Sequence, residues 1–110
     1  NYCPAVRKAL DYIDANLSNS VDSAKVAEVL GMDRRLLVRT FSRETGMTVK
    51  QYLAKKRCEI AAELLRNSQS SIQNIAAYVG YTDNNYFSKI FKINQGCTPQ
   101  DYRRNHWPSE

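Results

Sequence analysis

Val26-Ala27-Glu28-Val29-Leu30-Gly31-Met32 is echoed 49 residues later by Ile75-Ala76-Ala77-Tyr78-Val79-Gly80-Tyr81. After one inserted residue the echo resumes at an offset of 50, pairing Leu37 with Phe87, Arg39 with Lys89, Phe41 with Phe91, Gly46 with Gly96, Thr48 with Thr98 and Tyr52 with Tyr102. Each copy reads as a short helix, a glycine-containing turn, and a second helix with polar and basic residues on its outer face. A helix-turn-helix has this layout, and its second helix enters the major groove of DNA. Two copies in one short chain imply a reader of two consecutive groove segments.

Working outward, Val6, Leu10, Ile13 and Leu17 recur at helical spacing and predict a first amphipathic helix from about 5 to 17. Asn16 to Ser20 is a polar break, Asp22 can cap a helix of about 23–30, and Gly31 ends it. Asp33 then caps a helix of about 34–44, closed by Gly46. Thr48 starts the longest helix, about 49–66, with Val49, Leu53, Ile60 and Leu64 on one stripe and Tyr52 and Leu65 beside it. At about 1.5 Å per residue it spans roughly 27 Å, close to the ~34 Å between successive major grooves on one face of B-DNA. Asn67 to Ser71 is a second break, after which Ser71 caps a helix of about 72–79. Gly80 makes the turn, Thr82 or Asp83 caps a helix of about 84–94, and Gly96 ends it. Thr98-Pro99 opens a last short helix to about Asn105. The expected fold is all-α: seven helices forming two helix-turn-helix subdomains, 1–47 and 67–110, joined by a long central helix, 48–66.

The 110 residues fit about one domain, but lobes of roughly 50 residues are marginal alone and need shared packing or a connecting helix. No apolar run approaches the roughly 20 residues of a membrane span, so no membrane partner is expected, and no secretory signal is visible. A start at Asn1 rather than Met predicts a piece of a longer protein. Cys3, Cys58 and Cys97 are odd in number and widely spaced, which suits reduced thiols, with Cys58 and Cys97 filling small core positions. The net charge of +5 is uneven: residues 33–66 hold nine Lys/Arg against four acids, while the flanking segments are nearly neutral. That concentration on the first reading helix and the helix after it suits a polyanion, although a solvated basic face has the same composition.

In each second helix one face is suited to packing: Leu36, Leu37, Thr40 and Phe41 in the first copy, Tyr86, Phe87, Ile90 and Phe91 in the second. The opposite faces carry Arg35, Val38, Arg39 and Ser42, matched at offset 50 by Asn85, Ser88, Lys89 and Lys92. The residue types suit base edges. Arg35 or Arg39 can donate two bonds to guanine, Asn84 or Asn85 can pair with adenine, and Val38 can touch a thymine methyl. Phosphate contacts would come from helix N-termini and nearby cations. Candidates are Thr48 and Lys50 at the long helix, Thr98 at the last, and Arg34, Arg43 and Lys92 beside the reading faces; ordinary capping or solvation is the competing role for each.

The chain resembles the DNA-binding domain of the AraC/XylS family of bacterial transcription regulators over nearly its whole length. The resemblance is carried by Val26-Ala27, Gly31, Leu37, Arg39, Phe41, Gly46, Thr48, Tyr52-Leu53, Arg57, Ala61 and Leu64-Leu65 in the first half. The second half contributes Ile75-Ala76, Val79-Gly80-Tyr81, Asp83, Tyr86-Phe87-Ser88-Lys89, Phe91-Lys92, Gly96, Thr98-Pro99 and Tyr102-Arg103. It implies two lobes on a long helix, each inserting one helix into adjacent major grooves, with base-contacting positions at Arg35, Val38, Arg39, Asn84, Asn85, Ser88 and Lys89. It also implies sequence-specific double-stranded DNA binding by a cytoplasmic, nucleoid-associated bacterial regulator, an activator that touches RNA polymerase, with an effector or dimerisation domain elsewhere. Arg57, despite its match, reads as a structural ion-pair or capping residue.

Enzyme chemistry and cofactors are not expected. His106 is a lone tail histidine, and Glu59 and Glu63 read as a surface pair one turn apart. No phosphate loop or nucleophile motif is present. Tyr12, Tyr52, Tyr78, Phe87, Phe91 and Tyr102 fall on core stripes. Two other functions fit the same helices: a protein-interaction module that docks through the stripes, and an accessory domain of a DNA-repair enzyme.

Overall fold

The computed structural model describes residues 1–106; the end of the segment predicted over 67–110 lies outside the described residues. The chain forms α1 (Pro4–Ala15), α2 (Ser23–Leu30), α3 (Arg34–Thr45), α4 (Val49–Asn67), α5 (Ile72–Val79), α6 (Asn84–Gln95) and α7 (Pro99–His106), with no strand among the described residues. The all-α, seven-helix expectation is met.

Most boundaries follow from local capping chemistry. Asp22 and Ser71 accept the backbone N–H groups of Lys25 and Asn74, satisfying first-turn donors that the helix itself leaves unpaired. Thr48 and Gln51 cap α4 reciprocally: Thr48 Oγ1 accepts from the Gln51 N–H at 3.0 Å, and Gln51 Oε1 accepts from the Thr48 N–H at 2.9 Å. At α1 the expectation is corrected. The helix stops at Ala15 because Asn16 turns its N–H to the Ile13 carbonyl and its amide Nδ2 to the Tyr12 carbonyl. Leu17 therefore lies beyond the helix, although it still packs against the core.

The chain divides into two compact units, Asn1–Leu53 and Ala54–Glu110. In the first, the buried core joins Val6, Ala9 and Ile13 of α1, Val26 and Ala27 of α2, Leu37 and Phe41 of α3, and Val49 and Leu53 of α4. In the second it joins Cys58, Ala61, Ala62 and Leu65 of α4, Ile75, Ala76 and Val79 of α5, Phe87 and Phe91 of α6, and Tyr102 of α7. The repeat thus extends to four helices per unit. Val6, Ala9 and Ile13 of α1 have the same spacing as Cys58, Ala61 and Leu65 of α4, at an offset of 52. One continuous helix therefore begins as the last helix of the first unit and ends as the first helix of the second. The single stripe expected on α4 is corrected accordingly: its buried positions belong to two cores, and Ile60 and Leu64 are only half-buried.

The start of α1 is held from a distance. Cys3 makes no side-chain cap; instead its backbone N–H donates to Glu44 Oε1 at 2.8 Å, from the last turn of α3. That hydrogen bond, helped by neighbouring Arg43, holds the Glu44 carboxyl below its ordinary value of 4.5. A carboxylate with a lowered folded-state pKa stabilises fully above its unfolded value and loses this contribution as pH falls through the folded one. The wild-type chain should therefore exceed Glu44→Gln in thermal stability at neutral pH, with the gap closing below about pH 4.5. A gap unchanged from pH 7 to pH 3 would refute the charge-assisted bond.

Candidate nucleic-acid interface

The reading helices are set by two turns built alike. Gly31 (φ 69°) and Gly80 (φ 109°) adopt the left-handed conformation that ends α2 and α5. In each turn the glycine N–H and the next residue's N–H return to the helix carbonyls, Gly31 to Glu28 and Met32 to Ala27, Gly80 to Ala77 and Tyr81 to Ala76. A side chain at Gly31 would meet open space, so the requirement there is backbone conformation. The inserted residue of the second copy lies in this turn, which runs Gly31 to Asp33 in one unit and Gly80 to Asp83 in the other.

Asp33 and Asp83 then cap the reading helices. Asp33 Oδ1 accepts from the N–H groups of Arg35 (2.8 Å) and Leu36 (3.2 Å); Asp83 Oδ1 accepts from those of Asn85 (2.9 Å) and Tyr86 (3.2 Å). Of the two caps left open for α6, Asp83 is the one used.

Each reading helix is anchored by two fully buried side chains one turn apart, Leu37 and Phe41 in α3, Phe87 and Phe91 in α6. Thr40 is also buried, whereas Ile90 is half-buried. The expected packing faces are narrower than read: Leu36 is 46% exposed and Tyr86 42%. Each precedes an anchor by one residue, and about 100° of helical rotation carries it off the seam. Tyr86 retains an edge contact with Tyr81 at 5.9 Å.

Beside the anchors, Arg34, Arg35, Val38, Arg39 and Arg43 of α3 are exposed, as are Asn84, Asn85, Lys89 and Lys92 of α6, with Arg35, Arg39, Asn85 and Lys89 on the face opposite the buried seam. Ser42 and Ser88 are half-buried, and the Ser42 hydroxyl donates to the Met47 carbonyl at 3.3 Å. Among the described residues, none of Arg35, Arg39, Arg43, Lys50, Lys89 and Lys92 forms an ion pair. Arg34 Nε reaches Ser23 Oγ at 3.4 Å. Thr48 and Thr98 both accept first-turn N–H groups, that of Asp101 in the case of Thr98. A hydroxyl so engaged keeps its proton free to donate to an anion.

Other expectations resolve into structural roles. Arg57 is buried with its guanidinium 4.8 Å over the Tyr81 ring, a cation–π contact that gives it a structural role. Burial raises the Tyr81 phenol pKa despite a hydrogen bond with Arg57. His106 stacks on Tyr102 at 4.0 Å, with Nδ1 2.9 Å from the Tyr102 carbonyl. Glu59 meets Lys56 at 3.5 Å. Tyr78, expected on a core stripe, is 67% exposed because Ile75, Ala76 and Val79 already form the buried edge of α5.

Sequence reasoning missed Arg103 as a clamp. Its Nε donates to the Leu65 carbonyl (3.2 Å) and Nη2 to the Ser68 carbonyl (3.0 Å), closing the C-terminal end of α4. Arg66 donates to the Tyr102 hydroxyl beside it. The clamp spans more than 30 residues of sequence, so no local spacing signals it.

Residues 26–105 match the helix-turn-helix domain family. Over 65 residues, 59% of the chain and 24% of the relative, the sequence is 51% identical to the HTH-type transcriptional activator RhaR of Mannheimia succiniciproducens. It is 38% identical over 99 residues to the protein of the same name from Yersinia pseudotuberculosis, covering 86% of the chain and 34% of the relative. The matched residues thus span 24% and 34% of the length of these relatives. In structure it superimposes on the C-terminal domain of AraT, a response regulator from Geobacillus stearothermophilus, with a TM-score of 0.95 and 38% identity, covering all of this chain and 92% of that one.

Burial pushes the Cys58 thiol up to about 12, so it stays protonated at neutral pH. Alkylation of the native chain should label half-buried Cys3 and Cys97 and spare Cys58. Mass spectrometry showing Cys58 modified first, without unfolding, would contradict this core placement.

Proposed function

The chain belongs to the AraC/XylS family of helix-turn-helix DNA-binding domains, and on that premise we propose that it reads specific double-stranded DNA through α3 and α6, in adjacent major grooves. The observation that carries the reading is a matched pair of 12-residue helices, each capped by aspartate, ended by glycine, anchored on one side and exposed with polar side chains on the other. Arg35, Val38 and Arg39 of α3 and Asn84, Asn85, Ser88 and Lys89 of α6 meet base edges. Arg34, Arg43, Lys50 and Lys92, with the hydroxyls of Thr48 and Thr98, meet phosphates. Subdomains 1–47 and 67–110 do the reading, and the segment 48–66 spaces them.

Base contacts select the site and phosphate contacts orient the protein on it. The chain is a binder and not a catalyst. Its relatives are named transcriptional activators and are about two and a half times as long, which supports an activator that touches RNA polymerase and carries its effector or dimerisation domain elsewhere. A DNA ligand of this kind puts it on the nucleoid, in the bacterial cytoplasm. No helix among the described residues is long and apolar enough to cross a membrane.

Displacing counterions from about four phosphates with Arg34, Arg43, Lys50 and Lys92 gives log affinity a slope of about −3 to −4 against log salt. Lys50→Ala should weaken binding nearly equally on all sequences and reduce that slope by about 1. Arg39→Ala should instead cost about 1–3 kcal/mol at one position of the site. Titrations of labelled duplexes at several salt concentrations separate these effects. Salt-insensitive or absent affinity would favour a protein-docking module.

A further inference from the structure

The two reading faces share a layout and differ in chemistry. Arg35 and Asn85 occupy equivalent stations: each is the second residue of its helix, and each gives its backbone N–H to the capping aspartate, at 2.8 and 2.9 Å. Both side chains are exposed, and among the described residues neither the Arg35 guanidinium nor the Asn85 amide has a hydrogen-bond or ion-pair partner. Their bonding capacity is therefore available to a ligand. A guanidinium offers only donors, which match guanine O6 and N7; a carboxamide offers a donor and an acceptor, which match adenine N6 and N7. The contrast is confined to the first turns: α3 contains no Asn or Gln and α6 no Arg, but one turn on Arg39 and Lys89 both offer only donors.

Resting on the DNA-reading role proposed above, we infer that the recognised duplex has unlike halves: guanine faces the first turn of α3, and adenine faces the first turn of α6. A repeated protein thereby reads a non-repeated site. One copy of the chain binds it in one direction only, since reversal sets Arg35 against adenine N6–H2, donor against donor, and leaves Asn85 on guanine.

The test is selection of bound duplexes from a random pool with the wild-type chain, followed by titrations with single variants at these exposed positions. The wild type should enrich two unlike segments, one fixed by guanine and the other by adenine. Arg35→Ala should remove the guanine preference at one position of the first segment alone, and Asn85→Ala the adenine preference at one position of the second alone, each by roughly tenfold or more. Asn85→Arg should convert the selected adenine to guanine, a gain that mere loss of folding cannot produce. Two segments with the same fixed bases, or both alanine variants acting on one segment, would overturn the inference. Failure to enrich any duplex would instead overturn the DNA-reading role itself.

Discussion

Two buried side chains, four residues apart, hold each reading helix to its unit. Leu37 and Phe41 do this in α3, Phe87 and Phe91 in α6, all of them without solvent exposure. The seam is narrow enough that Arg34, Arg35, Leu36, Val38, Arg39 and Arg43 of α3, and Asn84, Asn85, Tyr86, Lys89 and Lys92 of α6, are exposed. The second anchor also meets the helix that follows. Phe41 takes Tyr52 edge-on at 6.0 Å, and Phe91 takes Tyr102 edge-on at 5.5 Å. Truncating a phenylalanine so placed typically costs about 3–5 kcal/mol, a large share of what a unit of this size has. A narrow seam is thus compatible with a fixed helix because its anchors are large and, Leu37 apart, aromatic.

Around that seam each unit needs four helices, and the chain supplies eight helical roles with seven helices. α4 fills two of them. Its first turns carry Val49 and Leu53 into one core, and its later turns carry Cys58, Ala61 and Leu65 into the other. Both phenolic rings that follow the anchors have polar partners, though different ones: Tyr52 donates to Asp14 at 2.9 Å, while Tyr102 accepts from Arg66. The packing is conserved between the copies, and the polar fittings at its rim are not.

The helices were legible because their boundaries are local. Asp22, Asp33, Thr48, Ser71 and the four glycines act within a few residues of themselves, and each does what its chemistry implies. The candidate site was legible for the same reason, since a polar stripe at helical spacing needs no knowledge of the rest of the fold. Three kinds of feature were not readable. Exposure of Leu36, Tyr86 and Tyr78 depends on how wide a contact the neighbouring helices make, which composition does not encode. The kinship of α1 with the second half of α4 was hidden by dissimilar residues, Val6 against Cys58 and Ile13 against Leu65. The Glu44–Cys3 bond and the Arg103 clamp join positions more than 30 residues apart, where only the folded chain supplies the proximity.

The reading helices have the same length, 12 residues, and the same flanking residues, aspartate before and glycine after. The extra residue of the second unit sits upstream of its aspartate, outside that span. Arg34–Thr45 and Asn84–Gln95 are therefore interchangeable cassettes in the geometric sense, apart from their buried edge and the Glu44 hold on α1. Duplication followed by drift within such a cassette can change what one half of the molecule addresses while leaving its scaffold intact.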